Sequence, residues 1–377
     1  MTDWGGLREW LDTMFMAMAD TPQDSEYHGE GNVWNHTRMV CEALVSSTAY
    51  DVAGLDRKFV LFYAALFHDL AKTHCTAESP DGRITSYGHP RKGAVDARIL
   101  LWRSGVPFGL REDICRLIAA HQKPFWAFKE TEYGPDYPVY LARKLSCELS
   151  IDELCSLAEA DIRGRLCSNN QEILDDIYLF RELAKEEQCY LKPKDFADAH
   201  TRVMYFRLKG KIPADVPFHQ RPGAEVTLLS GLPASGKDTW ARINAQGRPV
   251  LSYDGAMQEL GVKHGAKDTG RAVQLVQRRC KELLREKRPF IFNATHLSFQ
   301  MREKAIDLLY AYGAYVDIVY LEAPEPVLYE RNSKRDTTLK NSDIERMLMK
   351  WEVPLPTEAH SAIYQVSEKY NKIKEQG

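Results

Sequence analysis

The chain has 377 residues, and its 50 Lys and Arg against 53 Asp and Glu leave a formal charge of −3. A 44% hydrophobic share beside 27% charged residues predicts a soluble globular chain long enough for two domains. No apolar run nears the roughly 20 residues of a membrane span, the N-terminus lacks signal-peptide features, and the eight cysteines, without CxxC pairing, read as free thiols in a cytoplasmic protein.

The small net charge hides a split of −10 over residues 1–200 and +7 over residues 201–377, as expected of two units with different partners. In chain order, His36–Ser47, Lys58–Thr73, Gly93–Ser104, Arg111–Ala120 and Asp175–Gln188 carry apolar residues at helical spacing. Residues 1–208 are therefore expected to form an all-α domain. Gly210, Pro213, Pro217, Pro222 and Gly223 mark 209–223 as a linker. Beyond it, the short apolar runs Val226–Ser230, Val250–Tyr253, Phe290–Asn293 and Ala314–Leu321 precede longer amphipathic segments. That alternation predicts an α/β domain with a parallel sheet over 224–377.

Within the helical half, His68 and Asp69 close the apolar segment Phe59–Phe67, and Lys72 lies one turn further on. His36, His89, His121 and Asp161 also fall in or beside helical stretches, as ligands converging in a bundle core must. Four histidines and two carboxylates suit one or two divalent transition metals such as Mn, Co or Ni. Six ligands are enough for two ions bridged by Asp69, a pairing that activates water. His36 alone would read as a hydrogen-bonded core histidine; the order of the whole set raises it. His28, His74 and His200 fit no pattern and read as surface residues.

That order, H…HD…H…H…D, is the ligand pattern of the HD phosphohydrolase superfamily, and Ala160-Asp161-Ile162-Arg163-Gly164-Arg165 resembles the last-ligand segment of its RNA-processing members. The resemblance implies an HD-domain helical bundle that hydrolyses phosphomonoesters or phosphodiesters, with Lys72, Arg163 and Arg165 facing substrate phosphate. On sequence alone, Lys72 reads equally well as a surface residue.

In the second half, Gly231-Leu232-Pro233-Ala234-Ser235-Gly236-Lys237 follows an apolar run and opens a helix. This is the G-x-x-x-x-G-K phosphate loop in the strand–loop–helix setting it requires. Its backbone N–H groups close around phosphate oxygens, and Lys237 supplies a point charge. The usual Ser or Thr after the lysine, a Mg²⁺ ligand, is Asp238, followed by Thr239. Either Asp238 holds the ion, directly or through water, or Thr239 replaces the missing hydroxyl. Asp254 ends the second expected strand, where a carboxylate can act as base for an attacking hydroxyl or serve as a Mg²⁺ partner. Asn293 and Thr295 end the third, Arg302 lies on the following helix, and Arg331 and Arg335 sit four apart further on.

This half resembles P-loop phosphotransferases of the polynucleotide-kinase type. The resemblance implies Asp254 as the activator of a 5′-hydroxyl and lid arginines Arg331 and Arg335 on the donor phosphates of Mg²⁺-bound ATP or another nucleoside triphosphate; Asn293 and Thr295 could bind the acceptor or orient the base, though Thr295 reads equally well as a helix N-cap. The family's acceptor-clamping arginine has Met257 at its position here, which passes that role to Arg302. Together the halves resemble the bacterial bifunctional RNA end-healing enzymes of the HD-Pnk family. The resemblance implies removal of 2′,3′-cyclic, 2′- or 3′-phosphate from one RNA (or DNA) end, phosphorylation of a 5′-hydroxyl on the other, and sealing by a separate ligase. The alternatives are a small-molecule or nucleoside kinase joined to a nucleotide hydrolase, and an HD half that senses without catalysing.

Overall fold

The computed structural model describes residues 4–129, 134–262, 269–334 and 339–367. The chain divides into two units between Asp195 and Phe196. The first is helical: α1 (Trp4–Asp20), α2 (Val33–Val45), α3 (Thr48–Asp51), α4 (Leu55–Phe67), α5 (Lys72–Cys75), α6 (His89–Arg103), α7 (Phe108–Ala120), α8 (Lys123–Trp126), α9 (Tyr137–Ser146), α10 (Ile151–Arg163) and α11 (Asn170–Glu186). A two-residue antiparallel ribbon, β1 (Ala77–Glu78) with β2 (Ile84–Thr85), interrupts them.

Helices α2, α4, α7 and α10 pack on one another around a single core. Val40, Leu44, Leu61, Ala65, Ile114, Ile118, Leu154 and Ala158 are all buried there, where each large aliphatic contributes about 1.5–3 kcal/mol relative to exposure. Capping sets the starts of two of these helices. Asn32 accepts from Asn35 N ahead of α2, and Ser150 from Glu153 N ahead of α10. At the other end of α10, Gly164 lies so close to α2 that an added Cβ would stand 2.5 Å from Val40 N. A side chain there would push apart the two helices carrying His36 and Asp161.

The expected continuous helix Lys58–Thr73 is not formed. α4 stops at Phe67, and the chain tightens through Leu70 N to Phe67 O at 3.1 Å and Lys72 N to Asp69 O at 2.9 Å before α5 begins. Neighbouring residues on a helix point roughly 100° apart, so this break lets His68 and Asp69 reach the same interior. Elsewhere in this unit, Arg98 of α6 and Arg111 of α7 share the buried Glu112. Arg98 Nη2 donates to Glu112 Oε2 at 2.8 Å and Arg111 Nε to Oε1 at 2.9 Å. Burial raises that carboxyl's pKa, but Arg98 and then Arg111 outweigh it and hold it at about 2.

The second unit contains α12 (Ala199–Arg207), β3 (Glu225–Ser230), α13 (Lys237–Asn244), β4 (Val250–Ser252), α14 (Tyr253–Leu260), α15 (Thr269–Arg285), β5 (Phe290–Asn293), α16 (Phe299–Ala311), β6 (Tyr315–Glu322), α17 (Glu325–Ser333), α18 (Asn341–Leu348) and β7 (Ser361–Val366). Its five strands are parallel in the order β4-β5-β3-β6-β7, with Leu228 of β3 opposite both Phe292 and Ile318. The fifth strand, β7, is absent from the sequence expectation.

α12 and the proline-containing stretch 209–223, expected as the end of the first domain and a linker, both fall within this second unit. The bonding explains it. Arg202 Nη2 donates to the carbonyls of Ala359 at 3.1 Å and His360 at 2.7 Å, Arg207 pairs with Asp307 at 2.8 Å, and Thr201 Oγ1 accepts from Phe218 N at 2.9 Å. Among the described residues, no helix is long and apolar enough to cross a membrane.

Candidate functional sites

In the helical unit, His36 (on α2), His68 and Asp69 (after α4), His89 (opening α6), His121 (closing α7) and Asp161 (on α10) converge, all of them buried. Three of the rings are oriented by the backbone. Nδ1 of His68, His89 and His121 lies 2.8, 2.7 and 2.8 Å from the carbonyls of Ala65, Ser86 and Ile118. Each Nδ1 donates to its carbonyl, so each Nε2 points inward.

The inward atoms form two groups that share Asp69. Asp69 Oδ2 lies 3.3 Å from His68 Nε2 and 3.6 Å from His36 Nε2, and Asp161 Oδ1 lies 3.1 Å from His36 Nε2. Asp69 Oδ1 lies 3.1 Å from His89 Nε2 and 4.0 Å from His121 Nε2. Asp69 Oδ1, His89 Nε2 and His121 Nε2 are buried and make no hydrogen bond. Leaving such groups unsatisfied is costly, and a divalent cation satisfies all three at once, so the donor set fits a metal. Burial pushes His121 down to about 3, with repulsion from His68 adding to it; a neutral imidazole is the form that ligates. Burial also works against the Asp69 charge, yet His68 and Lys72 together hold its carboxyl well below the usual range.

Lys72 belongs to this cluster. Its Nζ lies 2.8 Å from Asp69 Oδ2 and donates to Gln23 Oε1 at 2.7 Å. Arg165 joins it too, with Nη2 3.2 Å from Asp161 Oδ1. Arg163 does not. It is 56% exposed and pairs with Glu159 one helical turn back, at 2.8 Å, because the helical rotation that turns Asp161 inward leaves Arg163 on the outer face. His28, expected at the surface, is buried, and burial lowers it to about 4. Its Nδ1 lies 2.8 Å from Glu30 Oε1. Gln23, His28 and Glu30 are the neighbours that the sequence reading missed.

In the second unit, the loop Gly231–Gly236 runs from the carboxyl end of the central strand β3 into α13. Gly231 has φ +145°, and a Cβ there would stand 2.2 Å from Leu321 O; Gly236 has φ +112°. Only glycine takes both positions without strain. Lys237 Nζ donates to the carbonyls of Gly231 at 2.9 Å and Leu232 at 2.7 Å, and Gly231 N donates to Thr295 O at 2.9 Å. Asp238 accepts from Asn293 Nδ2 at 2.7 Å, tying the end of β5 to the head of α13.

A cleft of about 1210 Å³ opens over these strand ends, and Asp238, Thr239, Asp254, Asn293, Thr295 and Arg331 all line it. Arg331 Nη1 donates to Ser235 O at 3.4 Å. Arg335 lies outside the described residues. Asp238, exposed at the head of α13, offers a carboxylate to a Mg²⁺–nucleotide, so the residues present fit that pair.

Arg302 does not clamp an acceptor. It is 1% exposed, forks onto Glu358 through Nε at 2.6 Å and Nη2 at 2.8 Å, and its Nη1 donates to the carbonyls of His296 at 3.0 Å and Glu352 at 2.7 Å. Arg302→Ala would strand Glu358 in the interior. It is expected to destabilise the unit by about 3–5 kcal/mol, seen as a lower midpoint in thermal unfolding; an unchanged midpoint with a raised acceptor KM would restore the clamp. Met257 is buried in the core beside α15. Met257 nonetheless lines the cleft, as does Lys304 of α16.

Residues 226–354 match the family model AAA_33, described as an AAA domain. With its parallel sheet and phosphate loop, the second unit is an α/β P-loop domain. No curated protein matches the chain. Among solved structures, a gluconokinase from Sinorhizobium meliloti 1021 is 18% identical over 39% of this chain and 84% of its own, with a TM-score of 0.28. A sugar kinase from Janibacter sp. HTCC2649 is 22% identical over 38% and 85%, with a TM-score of 0.28. Kti12 from Chaetomium thermophilum, in complex with ADP-AlF3, is 17% identical over 38% and 88%, with a TM-score of 0.30.

Proposed function

We propose that this chain is a bifunctional enzyme that heals broken RNA ends, its helical half an HD phosphohydrolase and its α/β half a polynucleotide 5′-kinase of the HD-Pnk kind. The observation that carries the reading is the convergence of four histidine Nε2 atoms on Asp69 and Asp161, in a chain that also holds a phosphate-loop cleft.

In the kinase half, the 5′-oxygen of the acceptor bonds to the γ-phosphorus of a nucleoside triphosphate, and the β–γ bridging bond breaks to release the diphosphate. Asp254 accepts the hydroxyl proton, while Lys237 and Arg331 stabilise charge on the transferring phosphoryl. Mg²⁺, when bound with the nucleotide, neutralises the phosphates. In the helical half, His36, His68, Asp69 and Asp161 would hold one divalent ion, and Asp69, His89 and His121 a second. When bound, the ions supply activation of water and neutralisation of phosphate. Lys72 and Arg165 reinforce that neutralisation. Attack by one water forms a P–O bond as the P–O bond to the 2′- or 3′-oxygen breaks, opening the ring to a monoester; a second water breaks that monoester, leaving the diol and inorganic phosphate, and each leaving oxygen takes up a proton from its water.

The decisive experiment is end-group analysis of an RNA bearing a 2′,3′-cyclic phosphate and a 5′-hydroxyl, with Mn²⁺ and nucleotide varied separately. The expected products are a metal-dependent 2′,3′-diol and a nucleotide-dependent 5′-phosphate. Unchanged ends under every condition would sink the reading. One observation favours an alternative: among the described residues lining the cleft, Arg331 is the only arginine, which suits a small-molecule or nucleoside acceptor. Phosphorylation of nucleosides or sugars, with no transfer to the 5′-hydroxyl oligonucleotide, would establish it, leaving the helical half as a nucleotide hydrolase or sensor.

A further inference from the structure

Backbone carbonyls hold the outer nitrogens of His68, His89 and His121. His36 differs: its Nδ1 makes no aligned hydrogen bond but lies 2.9 Å from Glu30 Oε1, an oxygen it shares with His28 Nδ1 at 2.8 Å, and the Glu30 side chain is only 2% exposed. The other Glu30 oxygen accepts from Leu166 N at 2.9 Å, and Gly29 N donates to Leu166 O at 2.9 Å. Glu30 thereby fastens the segment before α2 to the chain just beyond Asp161, so that the two elements presenting His36 and Asp161 are aligned by one carboxylate.

A buried anion at the outer nitrogen does more than a carbonyl. Its charge beside the ring makes the imidazole a stronger donor; losing such a partner costs about 10–100-fold in metal affinity. Among the described residues, no other ligand histidine of the cluster has a side-chain carboxylate at its Nδ1.

We propose that Glu30 is a positioning residue that sets the metal affinity of the His36–His68–Asp69–Asp161 half alone, leaving the Asp69–His89–His121 half unaffected. The proposal rests on the two-metal reading above. Its signature is selectivity, because a residue that merely holds the fold would change both halves together.

The test is calorimetric titration of the full chain with Mn²⁺ alone. Wild type is expected to take up two ions. In Glu30→Gln, whose amide oxygen can still accept from Leu166 N, one ion should weaken by about 10–100-fold while the other keeps its affinity. Glu30→Asp, which retains the charge, should hold the weakened ion more tightly than Glu30→Gln. Two unchanged ions, a parallel weakening of both, or equal weakening in the Asp and Gln variants would each overturn the proposal. A wild-type chain taking up fewer than two ions would instead sink the two-metal reading itself.

Discussion

Replacing Lys237 by Ala, or Asp254 by Asn, is expected to reduce 5′-phosphorylation by about 10³-fold or more while leaving phosphate removal at its wild-type rate. Lys237 is the only lysine in the phosphate loop, and its present bonds to the Gly231 and Leu232 carbonyls keep it poised at the loop's mouth. Asp254 opens α14 on the cleft side, exposed, where a carboxylate can meet an acceptor hydroxyl. The measurement is transfer of labelled γ-phosphate to a 5′-hydroxyl oligonucleotide, with release from a 2′,3′-cyclic end followed on the same preparation. Loss of both activities from either change would argue against independent sites.

The reverse experiment has an effect as large. His68→Ala with Asp69→Asn is expected to remove metal-dependent phosphate release by about 10³-fold or more, with 5′-phosphorylation intact. Asp69 touches both ligand groups, so its loss disables both. Arg163→Ala serves as the control: its guanidinium is spent on Glu159 at the surface, and both activities should persist. A strong loss of phosphate release from Arg163→Ala would place that side chain on the substrate after all.

The parts of these sites that were legible in the sequence are those written in short or ordered patterns. The loop Gly231–Lys237 is contiguous, and its flanking strand and helix lie where the apolar rhythm places them. The six metal-ligand candidates are scattered over about a third of the chain, yet each sits on or beside a helix end, and the structure brings their side chains together. What escaped depends on partners distant in sequence. Nothing local ties Glu30 to Leu166, 136 positions away, or Arg302 to Glu358, 56 away. Arg302 had the residue type for a phosphate clamp, and only its burial shows that the charge is already matched. β7 was missed because it pairs on one side alone and is only half buried, so its sequence, Ser361-Ala362-Ile363-Tyr364-Gln365-Val366, has a muted alternation. The helix break after Phe67 was hidden too, since the apolar periodicity runs unbroken through it.

The helix Ala199–Arg207 changes where this chain can be divided. Its composition invites a cut at the glycines and prolines that follow, at 209–223. Such a cut would carry Arg202 away from the carbonyls of Ala359 and His360 beside the edge strand, and Arg207 away from Asp307. The α/β half would lose these partners of the Ala359 and His360 carbonyls and the Asp307 carboxylate. Severed between Asp195 and Phe196, it keeps that helix as its own first element, and the proline-rich stretch becomes an internal strap.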